Sequence, residues 1–308
     1  MEWKSVATAA SIHAVIIRVR RYAEELEQCG QLGEKVVPLM VVPFMGDVGR
    51  ERCAEYDVSW MDLSGNARIV APGLRILIEG KPNRYKRRGR PSTAFAPKSS
   101  RIARWLLMHP DDPLTQRELA RATGTDEGHT SRVVGKLLED DLIVRTDGGA
   151  VLPRDPDLLL DAWQEVYDFN RHHVVRGHIA ARSGDVLLHR LVAGLNRTSV
   201  PHAVTGLAAA WCLNRLSAFR TVTVYLGQEL SSEIAADLSF REDDRGANVW
   251  LVAPKDEGVF HGASTTNEGI VCVHPVQAWL DLRAQPERAE AAAREMRSEY
   301  LRWSAGDR

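Results

Sequence analysis

Between Ser100 and Pro153 the chain marks the start and end of every element, and this constrains the fold more than anything else in it. Ile102, Ala103, Leu106 and Leu107 recur at helical spacing and predict a first helix ending near Met108. Thr115 and Glu118 have the spacing of a capping box ahead of a second helix, which Gly124 stops. A third helix starts near Asp126 and turns Val133, Val134, Leu137 and Leu138 inward. LIVRTDGGAVLP then reads as two short strands around the turn signal Asp147-Gly148. Three helices closed by a hairpin predict a winged helix-turn-helix over 99–155.

The remaining residues flank that unit on both sides. A chain of 308 residues exceeds one ordinary small core, so two or three domains are expected. On the N-terminal side, 1–82 predict an α/β domain. It has a helix over 11–28, an apolar strand within VVPLMVVPF and a short helix over 47–56. Three strands follow, VSWMDLSG, ARIVAP and LRILIEG. On the C-terminal side, 156–308 alternate helix and strand, which predicts a second α/β domain with a mostly parallel or mixed sheet. The expected fold class is therefore α/β multidomain: an N-terminal α/β domain, a central winged helix and a C-terminal α/β domain.

A basic arm over 83–98 joins the first two. From Lys81 to Arg104 there are nine Lys or Arg and no acid, in a chain whose net charge is −1. Such a local field selects polyanions, above all the phosphates of DNA. Within it Arg88-Gly89-Arg90-Pro91 resembles the core of an AT-hook, a flat extended Arg-Gly-Arg that lies in the A·T minor groove. Arg84, Lys86, Arg87, Arg88 and Arg90 of the arm, with Arg101 just beyond it, are candidate DNA contacts. In the winged helix, His129, Thr130, Ser131 and Arg132 at the start of the third helix would face the major groove. Lys136, Gln116, Arg117 and the wing's Arg145 would meet the backbone.

The N-terminal domain raises an enzymatic alternative. Asp62 ends one strand, and Glu79-Gly80-Lys81 follows another. An acid followed by E-x-K at a strand end resembles the PD-(D/E)xK nucleases, which makes the expected N-terminal domain restriction-endonuclease-like. There two carboxylates hold Mg²⁺ and the lysine positions or activates water. Glu24 on the first helix is a candidate third acid. Met61 stands where that pattern has proline.

Other chemistry finds less support. His172 and His173, read as neighbours on a helix, point apart, and no cysteine or carboxylate completes a metal set with His178 and His189. No phosphate-binding glycine loop of the P-loop or dinucleotide type is present. The four scattered cysteines suit buried fillers in a reducing cytoplasm. No run of about 18 apolar residues predicts a membrane span. The early apolar patch is followed, not preceded, by Arg18, Arg20 and Arg21, unlike a secretory leader.

Three features together, VSWMDLSGNARIVAPGLRILIEGK, a winged helix followed by an α/β segment, and VTGLAAAW with VHPVQAWLDL, give the chain a family likeness. It resembles the AbiEi family, the antitoxin and transcriptional-regulator half of type IV toxin–antitoxin systems. The resemblance implies a winged helix that binds the operon's own promoter through His129, Ser131, Arg132 and Lys136. It also implies a C-terminal domain that counteracts a nucleotidyltransferase toxin. The N-terminal domain is an addition to that plan.

The sequence thus predicts a cytoplasmic, autoregulatory regulator of double-stranded DNA. It needs no cofactor, has no membrane partner, and is expected to be a homodimer from the symmetry of most promoter sites. The alternative is a Mg²⁺-dependent nuclease directed to DNA by the winged helix.

Overall fold

The computed structural model describes residues 2–3, 9–28, 36–85, 93–215, 218–282, 285 and 289–303. The chain divides into two compact units that are not sequential. One comprises Met1–Thr93 with Val134–Val166, the other Ala94–Val133 with Tyr167–Arg308.

From residue 9 to residue 78 the N-terminal part follows the sequence-predicted order, with an unpredicted short strand ahead of it. Strand β1 (Glu2–Trp3) is followed by helix α1 (Ala9–Gln28), β2 (Leu39–Val42) and α2 (Asp47–Glu55). The meander β3 (Ser59–Asp62), β4 (Ala67–Ala71) and β5 (Leu74–Ile78) completes a sheet ordered β1-β2-β3-β4-β5. The first three strands are parallel and the rest antiparallel. Ile12, Val15, Ile16 and Val19 of α1 pack on Met40, Val42 and Trp60 of the sheet, with Met45, Cys53 and Val58 filling between. Burial pushes the Cys53 thiol up to about 12, so it packs as a small apolar side chain.

The winged-helix segment contains α3 (Ser100–Met108), α4 (Gln116–Thr123), α5 (Glu127–Glu139) and a hairpin, β6 (Ile143–Arg145) with β7 (Val151–Pro153). The capping box forms: Glu118 N donates to Thr115 Oγ1, and Thr115 N donates to the Glu118 carboxylate. Gly124 ends α4 at φ 63°, a left-handed conformation that costs glycine least. Asp126 caps α5 by accepting from His129 N at 2.7 Å.

Helix α6 (Pro156–Gln164) packs on α1. Here Arg52 of α2 donates through Nε and Nη2 to Asp161 Oδ2, at 3.0 and 2.8 Å. Both side chains are buried, so removing one partner would cost about 3–5 kcal/mol. The helix that opens the 156–308 segment thus belongs, with the wing, to the N-terminal unit.

The rest of the chain builds a seven-stranded mixed sheet. In chain order come β8 (His173–His178), α7 (Gly184–Leu195), β9 (His202–Thr205), α8 (Gly206–Asn214), β10 (Val222–Leu226) and α9 (Ser232–Asp237). Then follow β11 (Arg241–Glu242), β12 (Val249–Ala253), β13 (Ser264–Thr265), β14 (Val271–Cys272), α10 (Pro275–Leu282) and α11 (Ala289–Tyr300). The sheet order is β11-β8-β12-β10-β9-β14-β13, with β10–β12 and β14–β9 parallel. All five residues of β10 are buried: it pairs with a strand on each side, and α7 and α8 pack against it. One expectation is corrected: His173 lies not on a helix but in β8. The Val174-Val175 pair favours extended backbone, and β8 pairs with both β12 and β11.

Candidate nucleic-acid interface

Helix α5 is amphipathic, and its burial pattern sorts the sequence-predicted readers. Ser131 and Arg132 are exposed and His129 is half-buried, while Val133 and Val134 face the core. Thr130 is corrected as a DNA contact. Its side chain is fully buried, donates to Asp126 O at 3.0 Å and pairs with the Thr125 hydroxyl at 2.7 Å. Four-residue spacing puts it on the inner stripe with Val133, Val134 and Leu137. The ring of His129 meets the Ser99 hydroxyl at 3.2 Å through Nε2. Arg132 folds along its own helix, with Nε 3.3 Å from Gly128 O, and leaves its guanidinium at the surface.

The residues proposed for the phosphate backbone differ in how fully the fold already uses them. Arg117 is exposed and reaches Glu127 at 3.5 Å, a pair that water screens. Gln116 begins α4 and is half-buried. Arg145 projects from the wing and donates to Gly149 O at 3.2 Å. Lys136 is held between Glu139 and Asp140, and its hydrogen bond to Asp140 raises its pKa.

Arg101 is the second correction. Its guanidinium is committed inside its unit, to Asp256 at 2.7 and 2.8 Å and to Glu257 at 3.3 Å. The side chain is 11% exposed, so its charge is not offered to phosphate. Arg84 is exposed, with its backbone N–H bonded to Ser64 Oγ. Lys86, Arg87, Arg88 and Arg90, and with them the AT-hook-like motif, lie outside the described residues.

The structure gives Asp62, the first acid of the nuclease alternative, a different task. It is buried, and its carboxylate accepts from Met45 N (3.1 Å), Asn66 N (2.9 Å) and Asn66 Nδ2 (2.9 Å). Asn66 in turn brackets Lys81, accepting from its N–H and donating to its carbonyl. The turn between them needs Gly65, at φ 99°. Asp62 and the Lys81 backbone are therefore joined through Asn66, while the side chains of Glu79 and Lys81 stand in solvent. Strand β4 lies between β3, which ends at Asp62, and β5, which precedes Glu79. Glu24 is exposed on α1 beside Arg20. Among the described residues no three His, Cys, Asp or Glu side chains are grouped to hold a metal.

Sequence reasoning missed a buried polar network centred on Asp281 of α10. Thr205 Oγ1 (2.6 Å), Gln277 Nε2 (2.9 Å), Tyr225 OH (3.1 Å) and Tyr167 OH all donate to its carboxylate. Burial pushes Asp281 up to about 6, against the pull of those four donors. The guanidinium of Arg104, fully buried on α3, donates to Gln277 Oε1 and so connects α3 to the same network. Burial, with the charge of Arg104, takes His172 and His274 down to about 4, so both imidazoles are neutral at pH 7. One sequence signal was available: Gln277 and Asp281 stand four apart on the otherwise apolar helix PVQAWLDL, and share a face that must be buried.

Comparison with known families fits this architecture. Residues 96–150 match the model of the MarR family, and residues 152–302 match one described as transcriptional regulator, AbiEi antitoxin, type IV TA system. Neither a curated protein nor a solved structure matches the chain. The chain carries a MarR-type winged helix followed by an AbiEi-type segment, which together support a DNA-binding transcriptional regulator or antitoxin. No described helix is long and apolar enough to cross a membrane.

Proposed function

We propose that the protein is a cytoplasmic, sequence-specific regulator of double-stranded DNA that represses its own promoter and acts as the antitoxin of a toxin–antitoxin pair. The observation that carries this reading is the amphipathic α5 within the MarR-type segment. It keeps Ser131 and Arg132 in solvent while Thr130, Val133 and Val134 hold it to the core. In a winged helix that face enters the major groove, where an arginine reads guanine through O6 and N7. Gln116, Arg117, Lys136 and Arg145 supply backbone contacts, and His129 and Ser131 flank the reading arginine. The basic arm, with Arg84, Lys86, Arg87, Arg88 and Arg90, adds salt-dependent affinity and grips A·T-rich flanks. The protein acts as a homodimer on a palindromic site, needs no cofactor, and opposes a nucleotidyltransferase encoded beside it.

A mobility-shift titration on the DNA upstream of the gene, at graded salt, tests the reading. Specific retention that Arg132→Ala abolishes supports it. A protein that ignores that DNA even at low salt refutes it.

A further inference from the structure

The sheet of the second unit carries a cleft that the regulator reading does not use. It lies outside the carboxyl ends of the parallel pair β10 and β12. Leu226 ends β10 and Gly227, Gln228 and Glu229 follow it. Ala253 ends β12, and Pro254 and Lys255 follow. The antiparallel neighbours bring their first residues to the same end. His173 pairs with Ala253, and Pro201 precedes His202, which pairs with Leu226. Phe260 and His261, at the end of a short 3-10 turn (Glu257–Phe260), close the far side. Open α/β sheets commonly bind ligands in the crevice outside the carboxyl ends of their strands. The volume, about 560 Å³, is that of a site for a small organic molecule.

The lining limits the ligand's chemistry. The ring of Phe260, with Leu226 and the two prolines, makes an apolar wall suited to a planar ring. Lys255 is the single ammonium, which suits one anionic group and not a triphosphate. Burial, with the charges of Arg104 and Arg101, lowers the pKa of His261 and so favours its neutral form, which offers hydrogen bonds. Glu229 and Gln228 can accept from N–H groups on the ring's edge, whereas Glu257 is already shared with Arg101.

The same loop holds the first helix of the winged helix. Asp256, between Lys255 and Glu257, takes Arg101 of α3 in a two-point bond. A Cβ built on Gly258 would lie 2.7 Å from Arg101 Cγ and 3.0 Å from Arg104 Nη1, so the turn's backbone sits directly on α3. His172 Nδ1 accepts from Lys255 N at 3.1 Å and fixes the loop's base.

We propose that this cleft is an effector site for a small planar ring carrying one anionic group, either a nucleoside monophosphate or an aromatic carboxylate. Its occupancy is felt by α3 through the 255–260 loop. The first statement stands on the cleft alone; the second rests on the regulator reading.

The test is calorimetric titration of the full chain with the four ribonucleoside monophosphates, and separately with salicylate, anthranilate and indole-3-acetate. One panel should bind saturably at a single site, and which one identifies the source. Lys255→Glu, at an exposed position, should keep the wild-type melting temperature and weaken binding by about tenfold or more. Saturating ligand should then change the affinity for upstream DNA by about fivefold or more. No binding by either panel, or binding that Lys255→Glu leaves intact, overturns the site. Ligand binding without any change in DNA affinity overturns the coupling. A protein that binds ligand but no DNA upholds the site and refutes the regulator reading instead.

Discussion

Arg101 of α3 donates through Nε and Nη2 to the two carboxylate oxygens of Asp256, at 2.7 and 2.8 Å, across 155 positions of sequence. The pair lies at the edge of the basic stretch that the sequence assigns to DNA, yet its charge is neutralised within the protein. Two measurements separate these roles. Arg101→Gln leaves Asp256 without its partner in a largely buried place and should destabilise the unit by roughly 2–4 kcal/mol in denaturant melts. It should leave the salt dependence of DNA binding unchanged. Arg145→Gln in the wing should do the reverse, with little change in stability and a slope of log K against log salt shallower by about 0.9. A shallower slope for Arg101→Gln would return Arg101 to the interface.

Neighbouring positions on α5 should behave as differently. Arg132→Ala removes an exposed guanidinium and should cost about 1–3 kcal/mol of discrimination for the cognate site, with non-specific binding nearly intact. Thr130→Val removes a buried hydroxyl that pairs with Thr125 and donates to Asp126 O. It should cost about 1–3 kcal/mol of stability and no specificity. Competition shift assays and thermal melts on both variants check this, and a specificity loss in a fully folded Thr130→Val protein would contradict it.

How far the sequence disclosed this arrangement depends on the range of the interaction concerned. The capping box at Thr115 and Glu118, Gly124 as helix stop and the hairpin around Asp147-Gly148 are local, so spacing alone gives them. Burial sets the surroundings of Thr130 and long-range pairing those of Arg101, and neither is visible in residue type. Local spacing leaves His173 open to a helical reading, because pairing with β12 and β11 is what fixes the strand. The buried pair that ties α6 to α2 joins Arg52 to Asp161 across 109 positions, and no periodicity announces that. Asp281 was legible in principle, since a carboxylate four residues after a glutamine on an apolar helix must find buried partners.

Asp62 offers a test of structural against catalytic use. As the acceptor of three N–H groups from Met45 and Asn66, it organises the turn that leads into β4. Asp62→Ala should destabilise the N-terminal unit by about 1–3 kcal/mol, because those buried donors lose their acceptor. Glu79→Ala, at an exposed position, should be neutral within about 0.5 kcal/mol. Incubation of linear and supercoiled DNA with Mg²⁺ or Mn²⁺ should leave it intact. Cleavage that disappears in Glu79→Ala would reinstate the carboxylate pair as a metal site.

The Asp281 network makes stability depend on pH in a stated direction. Its folded pKa, about 6, lies above the ordinary 3.8 of an aspartate, so the folded state holds the proton more tightly than the unfolded chain does. That contribution is fully present below pH 3.8 and is lost as pH rises through about 6. His172 and His274 act oppositely. With folded values near 4, their contribution is present above 6.5 and is lost as pH falls through about 4. Asp281→Asn keeps the shape, removes the first effect and leaves both histidines in place. Relative to wild type, the Asn variant should therefore gain stability as pH rises from 4 to 7, by up to roughly 3 kcal/mol for a shift of about two units. Urea melts of both proteins at half-unit pH intervals measure the difference, and the histidine contribution cancels in it. A difference that stays flat between pH 4 and 7 would mean that the four donors outweigh the burial of the carboxylate.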